Sequence, residues 1–298
     1  MTIPLVATTV MFLWALCYPL ISIGLEYSPP LLLAFVRALI SGLALILMAR
    51  LLRRPPIKGK GNWATIVVIA LTATTAGFWG MFYAGGILSP GLATVLTNTQ
   101  PLIASALGWY VLMERFGKKS FIGLTLGFSG IVVISIGSMN LQGGELVRGI
   151  GYVLFASTGI AISNLFLKRI STQVDSLYAM GWQLILGALP LAFMSFYLED
   201  LTHFQFTLGL VVSLLLLSLF GTSLAFVLWF WLLARVPLYQ ANAYSFLTPI
   251  LGLLIGFLFY SESLTIPQIL GALAVIVGIS IVNTTRISES QSGRMESI

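Results

Sequence analysis

Between Lys60 and Glu114 the chain runs for 53 residues without a charged side chain. A helix needs about 20 apolar residues to cross roughly 30 Å of hydrocarbon, so this interval is too long for one span. Turn residues at Gly85-Gly86 and Ser89-Pro90-Gly91 divide it into two. The rest of the chain follows suit: 8% of the 298 residues are charged and 58% hydrophobic, against roughly 25% charged in an ordinary soluble domain. A water-soluble globule is excluded. At about 30 residues per span plus loop, the length accommodates about ten crossings and leaves no room for a soluble catalytic or sensory domain. The expected class is an all-α polytopic membrane protein.

Read as charge-poor intervals, the chain predicts helices near 2–25, 31–49, 63–83, 91–113, 120–137, 149–167, 176–198, 208–233, 239–260 and 266–284. The amino terminus has no basic region or small-residue cleavage site, so the first helix is expected to be retained. The stretch 285–298 is polar and Ser-rich and reads as a disordered cytoplasmic tail. Lys and Arg collect in cytoplasmic loops. Of the 15 basic residues, 13 fall in the loops after helices 2, 4, 6 and 8 or in the tail, which places both termini in the cytoplasm. The net charge of +6 therefore reflects topology, not a nucleic-acid partner.

A shift of 148 residues with no gap superposes Pro101 on Pro249, Glu114 on Glu262, Gly108 on Gly256, Gly123 on Gly271 and Gly130 on Gly278. Apolar composition would not readily align a proline and a charge together. The chain thus reads as two five-helix repeats, 1–137 and 149–284. Five is odd, so the second repeat enters the membrane in the reverse sense. Inverted repeats about an in-plane pseudo-two-fold axis are a recurring plan of secondary transporters, in which two similar bundles expose a central site to either face in turn. Transport by rocking of the two halves is the leading expectation.

These residues carry a resemblance. Pro101 through Val111-Leu112-Met113-Glu114-Arg115-Phe116-Gly117 with Gly123 and Gly130, the copy from Pro249 to Glu262, Phe35-Val36-Arg37 and Trp14-Ala15 resemble the drug/metabolite transporter superfamily, specifically its ten-helix EamA-like transporters. The likeness covers nearly the whole chain. It implies a central cavity between helices 1, 3, 4, 6, 8 and 9, with helices 5 and 10 at the periphery. It fixes no substrate, since members handle amino acids, nucleobases, nucleotide sugars and drugs. Four-helix members use a glutamate within helix 1, where this chain has Trp14 and its neighbours, which speaks against proton-coupled export of organic cations.

A charge within the bilayer is costly and usually functional. Arg37, roughly 9 Å into helix 2 at 1.5 Å per residue, can hold a substrate carboxylate, or its long side chain can reach the interface or a neighbouring helix. Asn98, Gln100, Asn164, Gln183 and Asn242 are amides that need partners in hydrocarbon. They either tie helix to helix or line a polar path. Trp14, Trp79, Trp229 and Tyr244 can wall a cavity for an apolar or aromatic ligand, or serve as lipid contacts. Pro101 and Pro249 each remove a backbone donor near mid-helix and act as hinges or static bends. Glu114 and Glu262 read as loop anchors or caps, with proton coupling the alternative.

The absences narrow the class further. No phosphate-binding Gly-rich loop with Lys occurs, so gradient-driven or passive transport is expected. With one histidine, His203, and one cysteine, Cys17, neither a metal set nor a nucleophile–base pair can be built, and no catalytic residue or cofactor is expected. The reading is a secondary transporter, as monomer or homodimer, that exports a small organic metabolite such as an amino acid. The rivals are a drug-efflux pump for aromatic compounds and a non-transporting scaffold or sensor.

Overall fold

The computed structural model describes residues 2–85, 88, 96–114, 117–135, 146–259 and 264–295. Among them there is no strand; all regular structure is helical. In chain order the segments are α1 (Ile3–Leu25), α2 (Pro30–Leu51), α3 (Lys60–Ile69, a π-helical Ala70–Ala76, then Gly77–Gly85), α4 (Gln100–Val111), α5 (Lys118–Ser135) and α6 (Leu146–Ile170). They continue with α7 (Ser176–Leu198), α8 (Leu208–Leu216, a π-helical Leu217–Leu224, then Ala225–Leu233), α9 (Leu238–Tyr244 and Leu247–Phe259) and α10 (Ile266–Met295). Seven of these, α1, α2, α3, α6, α7, α8 and α10, are long and apolar enough to cross a membrane. The chain is a multi-pass membrane protein.

Four termini show why their helices start where they do. Asp175 accepts from the amides of Leu177 and Tyr178, and Thr207 from that of Leu210, capping α7 and α8. Pro29 and Pro30 have no N–H, so the first orphan donors of α2 are Leu31 and Leu32. Both donate to the carboxylate of Glu199, at 2.6 and 3.0 Å. Pro237 likewise leaves Leu238 as the first free donor of α9, and Glu114 accepts it through both oxygens at 2.9 and 2.7 Å. α10 runs as helix to Met295, through most of the stretch whose composition suggests disorder. Between Gly278 and Gly293 no Gly or Pro interrupts it.

Helices 4 and 9, expected to bend or hinge at mid-helix prolines, are instead broken by turns ahead of those prolines. A turn at Asn98-Thr99 precedes α4, and one at Ser245-Phe246 divides α9, so Pro101 and Pro249 stand in the first turn of a fresh helical segment. A proline cannot donate to the carbonyl four residues back. For Pro101 that carbonyl belongs to Thr97, and the Ser157 hydroxyl of α6 lies 3.5 Å from it and 3.4 Å from the Leu96 oxygen. For Pro249 the matching carbonyl is that of Ser245, which takes the Thr248 amide at 3.1 Å. Residues 91–95 of the fourth predicted span, and Glu262, lie outside the described residues.

The repeat is visible in the packing of α5 on α10. A methyl placed on Gly123 would sit 2.6 Å from the Gly278 carbonyl oxygen, and one on Gly130 2.5 Å from that of Gly271. These contacts run antiparallel, and a shift of 148 converts the first into the second, the signature of a two-fold interface in which each patch meets its own copy. The halves are not separate bodies, however. α1 packs on α8 and α9, α6 on α3 and α4, and α2 on α7. The contacts group helices into two lobes, α1–α8–α9 and α3–α4–α6, each drawn from both halves. The reason is the inverted threading, which places every helix beside partners from the other repeat.

Loops expected on one face meet one another. Arg54, after α2, lies 3.9 Å from Asp175, before α7. Lys168, at the end of α6, donates to the carbonyls of Leu233 and Val236 in the α8–α9 turn, where Glu114 also docks. On the opposite face Glu199 joins α2, and the Gln205 amide reaches the Tyr27 carbonyl at 2.8 Å.

A candidate solute site between the lobes

The amides that sequence marks as needing partners find one another at the lobe boundary. Asn242 of α9 is fully buried. Its Oδ1 accepts from Gln100 Nε2 of α4 at 2.7 Å and from Asn164 Nδ2 of α6 at 3.2 Å, while its Nδ2 donates to the Leu238 carbonyl. Asn164 Oδ1 in turn accepts from Trp229 Nε1 of α8 at 3.0 Å. Every donor in this chain has a receiver, which buried amides require because an unpaired one costs about 1–3 kcal/mol. Trp229 then packs on Trp14 of α1, ring centroids 5.3 Å apart, and Trp14 meets Phe226 edge-on at 6.3 Å. Four hydrogen-bonding side chains and three aromatic rings thus join both lobes. Within the set these groups hydrogen-bond and stack on one another.

One turn further along α1 and α8 lies Arg37, 6% exposed. Its Nε donates to Thr222 Oγ1 at 2.7 Å, Nη2 points at Cys17 Sγ at 3.5 Å, and the guanidinium stands 5.2 Å from the centre of the Phe78 ring. Among the described residues no carboxylate pairs with it. Thr222 can receive this bond because α8 is π-helical there: its own hydroxyl hydrogen goes to the Leu217 carbonyl five residues back, as that of Ser223 goes to Ser218.

The other sequence candidates are placed as follows. Asn98 is buried in the turn before α4, and Tyr244 is buried at the break in α9. Trp79 stands apart from the amides, packed on Tyr152 and Phe155 of α6 at 6.1 and 5.7 Å, with Phe155 half exposed. Glu114 is a cap, as the anchoring alternative holds: burial pushes its carboxyl above the usual range, against the pull of the Leu238 amide and Lys168. The α5–α10 glycines pack within the chain. Gln183 bonds Thr74 of the other π-segment. Sequence reading did not foresee the caps by Lys168 and Glu199, nor Cys17 and Thr222 beside Arg37. The usable signal was hydroxyls within apolar spans, Thr72-Ala73-Thr74-Thr75 and Thr222-Ser223. A cleft of about 300 Å³ opens between the α1–α2 and α7–α8 turns, lined in part by Glu26, Ser28, Glu199 and His203.

An all-helical multi-pass bundle of interleaved inverted repeats, with its polar groups gathered between lobes, defines the class of a membrane transporter. The sequence profile of the EamA-like transporter family matches residues 1–136 and 147–284. The chain belongs to that family, within the drug/metabolite transporter superfamily. It is 32% identical over 274 residues to the uncharacterized transporter YvbV of Bacillus subtilis, covering 91% of this chain and 88% of that protein. It is 29% identical over 284 residues to a Salmonella typhimurium protein named "Probable amino-acid metabolite efflux pump", covering 92% of each. A solved structure matches 94% of this chain and 96% of its own length with a TM-score of 0.80 at 17% identity, a likeness of fold.

Proposed function

We propose that the protein exports a small organic metabolite, an amino acid or a close relative, across the plasma membrane by alternating access, with both termini in the cytoplasm. The observation that carries this reading is the hydrogen-bonded set Gln100–Asn242–Asn164–Trp229, which ties one lobe to the other at a point where a polar solute can replace protein partners. Exchange of an amide–amide bond for an amide–solute bond is close to neutral in net energy, whereas opening the set onto nothing is not. A solute is thus what lets the lobes part. Two relatives named as amino-acid metabolite efflux pumps support the substrate class. Hydrogen-bonding groups that accept several side chains suit a solute with a constant polar head.

The test is counterflow into proteoliposomes, using a panel of labelled amino acids with and without a pH gradient. Saturable uptake of at least one amino acid is expected, lost in Asn242→Leu at wild-type membrane content. A drug-efflux reading is favoured by the Trp14–Phe226–Trp229 wall; transport of hydrophobic dyes with no amino-acid flux would select it. Reporters fused near residues 57 and 118 should register cytoplasm, and those near 88 and 203 the exterior.

A further inference from the structure

The protein contains its own control for Arg37. Arg37 is the eighth residue of α2 and Gln183 the eighth of α7, the helix in the same place in the other repeat. Each reaches a threonine in the π-helical stretch of the opposite half: Arg37 bonds Thr222 at 2.7 Å, and Thr74 bonds Gln183 at 2.8 Å. Thr74 and Thr222 are related by the shift of 148 residues that superposes the repeats, while Arg37 and Gln183 are 146 apart. Flanking contacts match as well. Thr75 donates to the Gly187 carbonyl at 2.9 Å, and the hydroxyl of its counterpart Ser223 lies 3.2 Å from the Ser41 carbonyl. The Ser41 hydroxyl lies 3.0 Å from the Ser218 carbonyl, and a methyl placed on Gly187 would stand 2.6 Å from the matching carbonyl of Ala70.

The structural task of fastening a second helix to a π-segment is therefore done in one half by a neutral amide. The positive charge in the other half is surplus to it. That charge is buried, has no carboxylate partner among the described residues, and finds no protein acceptor there for Nη1. A lone guanidinium in a bilayer interior is expensive to keep unless something offsets it. Its fork of donors fits a carboxylate in two-point fashion. The Phe78 ring adjoins it, and Trp14 and Phe226 stand about one turn along their helices from Cys17 and Thr222, which it touches.

We propose that Arg37 is the specificity-determining group of the solute site, and that the transported class is a solute bearing one carboxylate on an apolar skeleton. This deepens the transport reading and rests on it. The purified full-length protein is titrated by tryptophan fluorescence with four probes on one skeleton: leucine, isovalerate, leucinamide and isoamylamine. Wild type should bind leucine and isovalerate at least tenfold more tightly than the two probes without a carboxylate. Arg37→Gln, which installs the residue the other half already uses, should retain the thermal midpoint and lose that tenfold preference. Arg37→Lys should keep part of it.

Equal binding of leucine and leucinamide by wild type overturns the proposal without any variant, as does wild-type affinity in Arg37→Gln or failure of both carboxylates to bind. Isovalerate binding without leucine would uphold the role of Arg37 and remove the amino-acid substrate. Leucinamide binding with intact transport would do the reverse, leaving a transporter whose selectivity lies elsewhere.

Discussion

The two π-segments offer a comparison that few chains provide internally. Around Thr74 and around Thr222 the backbone is π-helical, and the neighbouring helix crosses with a carbonyl beside Thr75 in one half and beside Ser223 in the other. The side chains differ where the second helix arrives: Gln183 and Gly187 on one side, Arg37 and Ser41 on the other. Shared geometry marks what the fold needs; unshared chemistry marks what something else needs. The same contrast appears at the centre. A shift of 148 carries Gln100 onto Thr248 and Trp229 onto Met81, so the amide set has no mirror copy. A duplicated frame has specialised on one side of its axis.

The largest expected effect breaks that asymmetry at its core. Asn242→Leu strands donors of Gln100 and Asn164, each worth about 1–3 kcal/mol when buried without a partner. Denaturation in detergent should show a loss of several times that seen for Thr248→Ala, the mate of Gln100, whose hydroxyl contacts only Met11 Sδ in the described structure. Next comes Gly187→Ala. Its methyl would stand 2.5 Å from Thr74 Cβ and 2.6 Å from the Ala70 carbonyl oxygen, an overpacking cost of about 2–3 kcal/mol. Ser41→Ala at the equivalent place removes one hydrogen bond and should cost about 1 kcal/mol. Equal losses would mean that Gly187 does not mark a tighter approach than Ser41 does.

At the α5–α10 crossing, Gly130→Ala and Gly271→Ala should each destabilise by a similar amount. The double variant should fall short of their sum, because either methyl already forces the shared contact apart. The smallest effect concerns Glu114. Its raised pKa means that the folded chain holds this proton more tightly than the unfolded chain does. Stability should decline as pH climbs from the ordinary carboxylate value of 4.5 through the raised one, then level off. Glu114→Gln, measured across that window, should flatten the slope.

Much of this frame was legible in the residues. Charge-poor intervals gave the helices, with α7 and α8 starting and ending where Asp175, Thr207 and the flanking charges put them. Pro101, Pro249 and the paired glycines announced the duplication because each has a backbone consequence that recurs at a fixed spacing. The amides were identifiable as a set, since hydrocarbon tolerates none alone. Their pairing was not. Which of Asn98, Gln100, Asn164 and Gln183 meets Asn242 depends on how two lobes interleave, and period alone does not encode that. Trp79 shows the same limit: a mid-helix tryptophan looks alike whether it faces the amides or, as here, a neighbouring aromatic flank. The π-segments were hidden because one extra residue per turn leaves composition unchanged.

Because helix partners are exchanged between the repeats, synthesis imposes an order on assembly. When α1 through α5 have been threaded into the bilayer, the surfaces that will receive α7, α8, α9 and α10 are still bare, including the glycine track of α5. The first half must wait in lipid as loosely associated rods, and the molecule acquires its shape only as the later helices slot between them. Two fragments cut at the connection near residue 140 should accordingly reconstitute when made together, and neither should become compact when made alone.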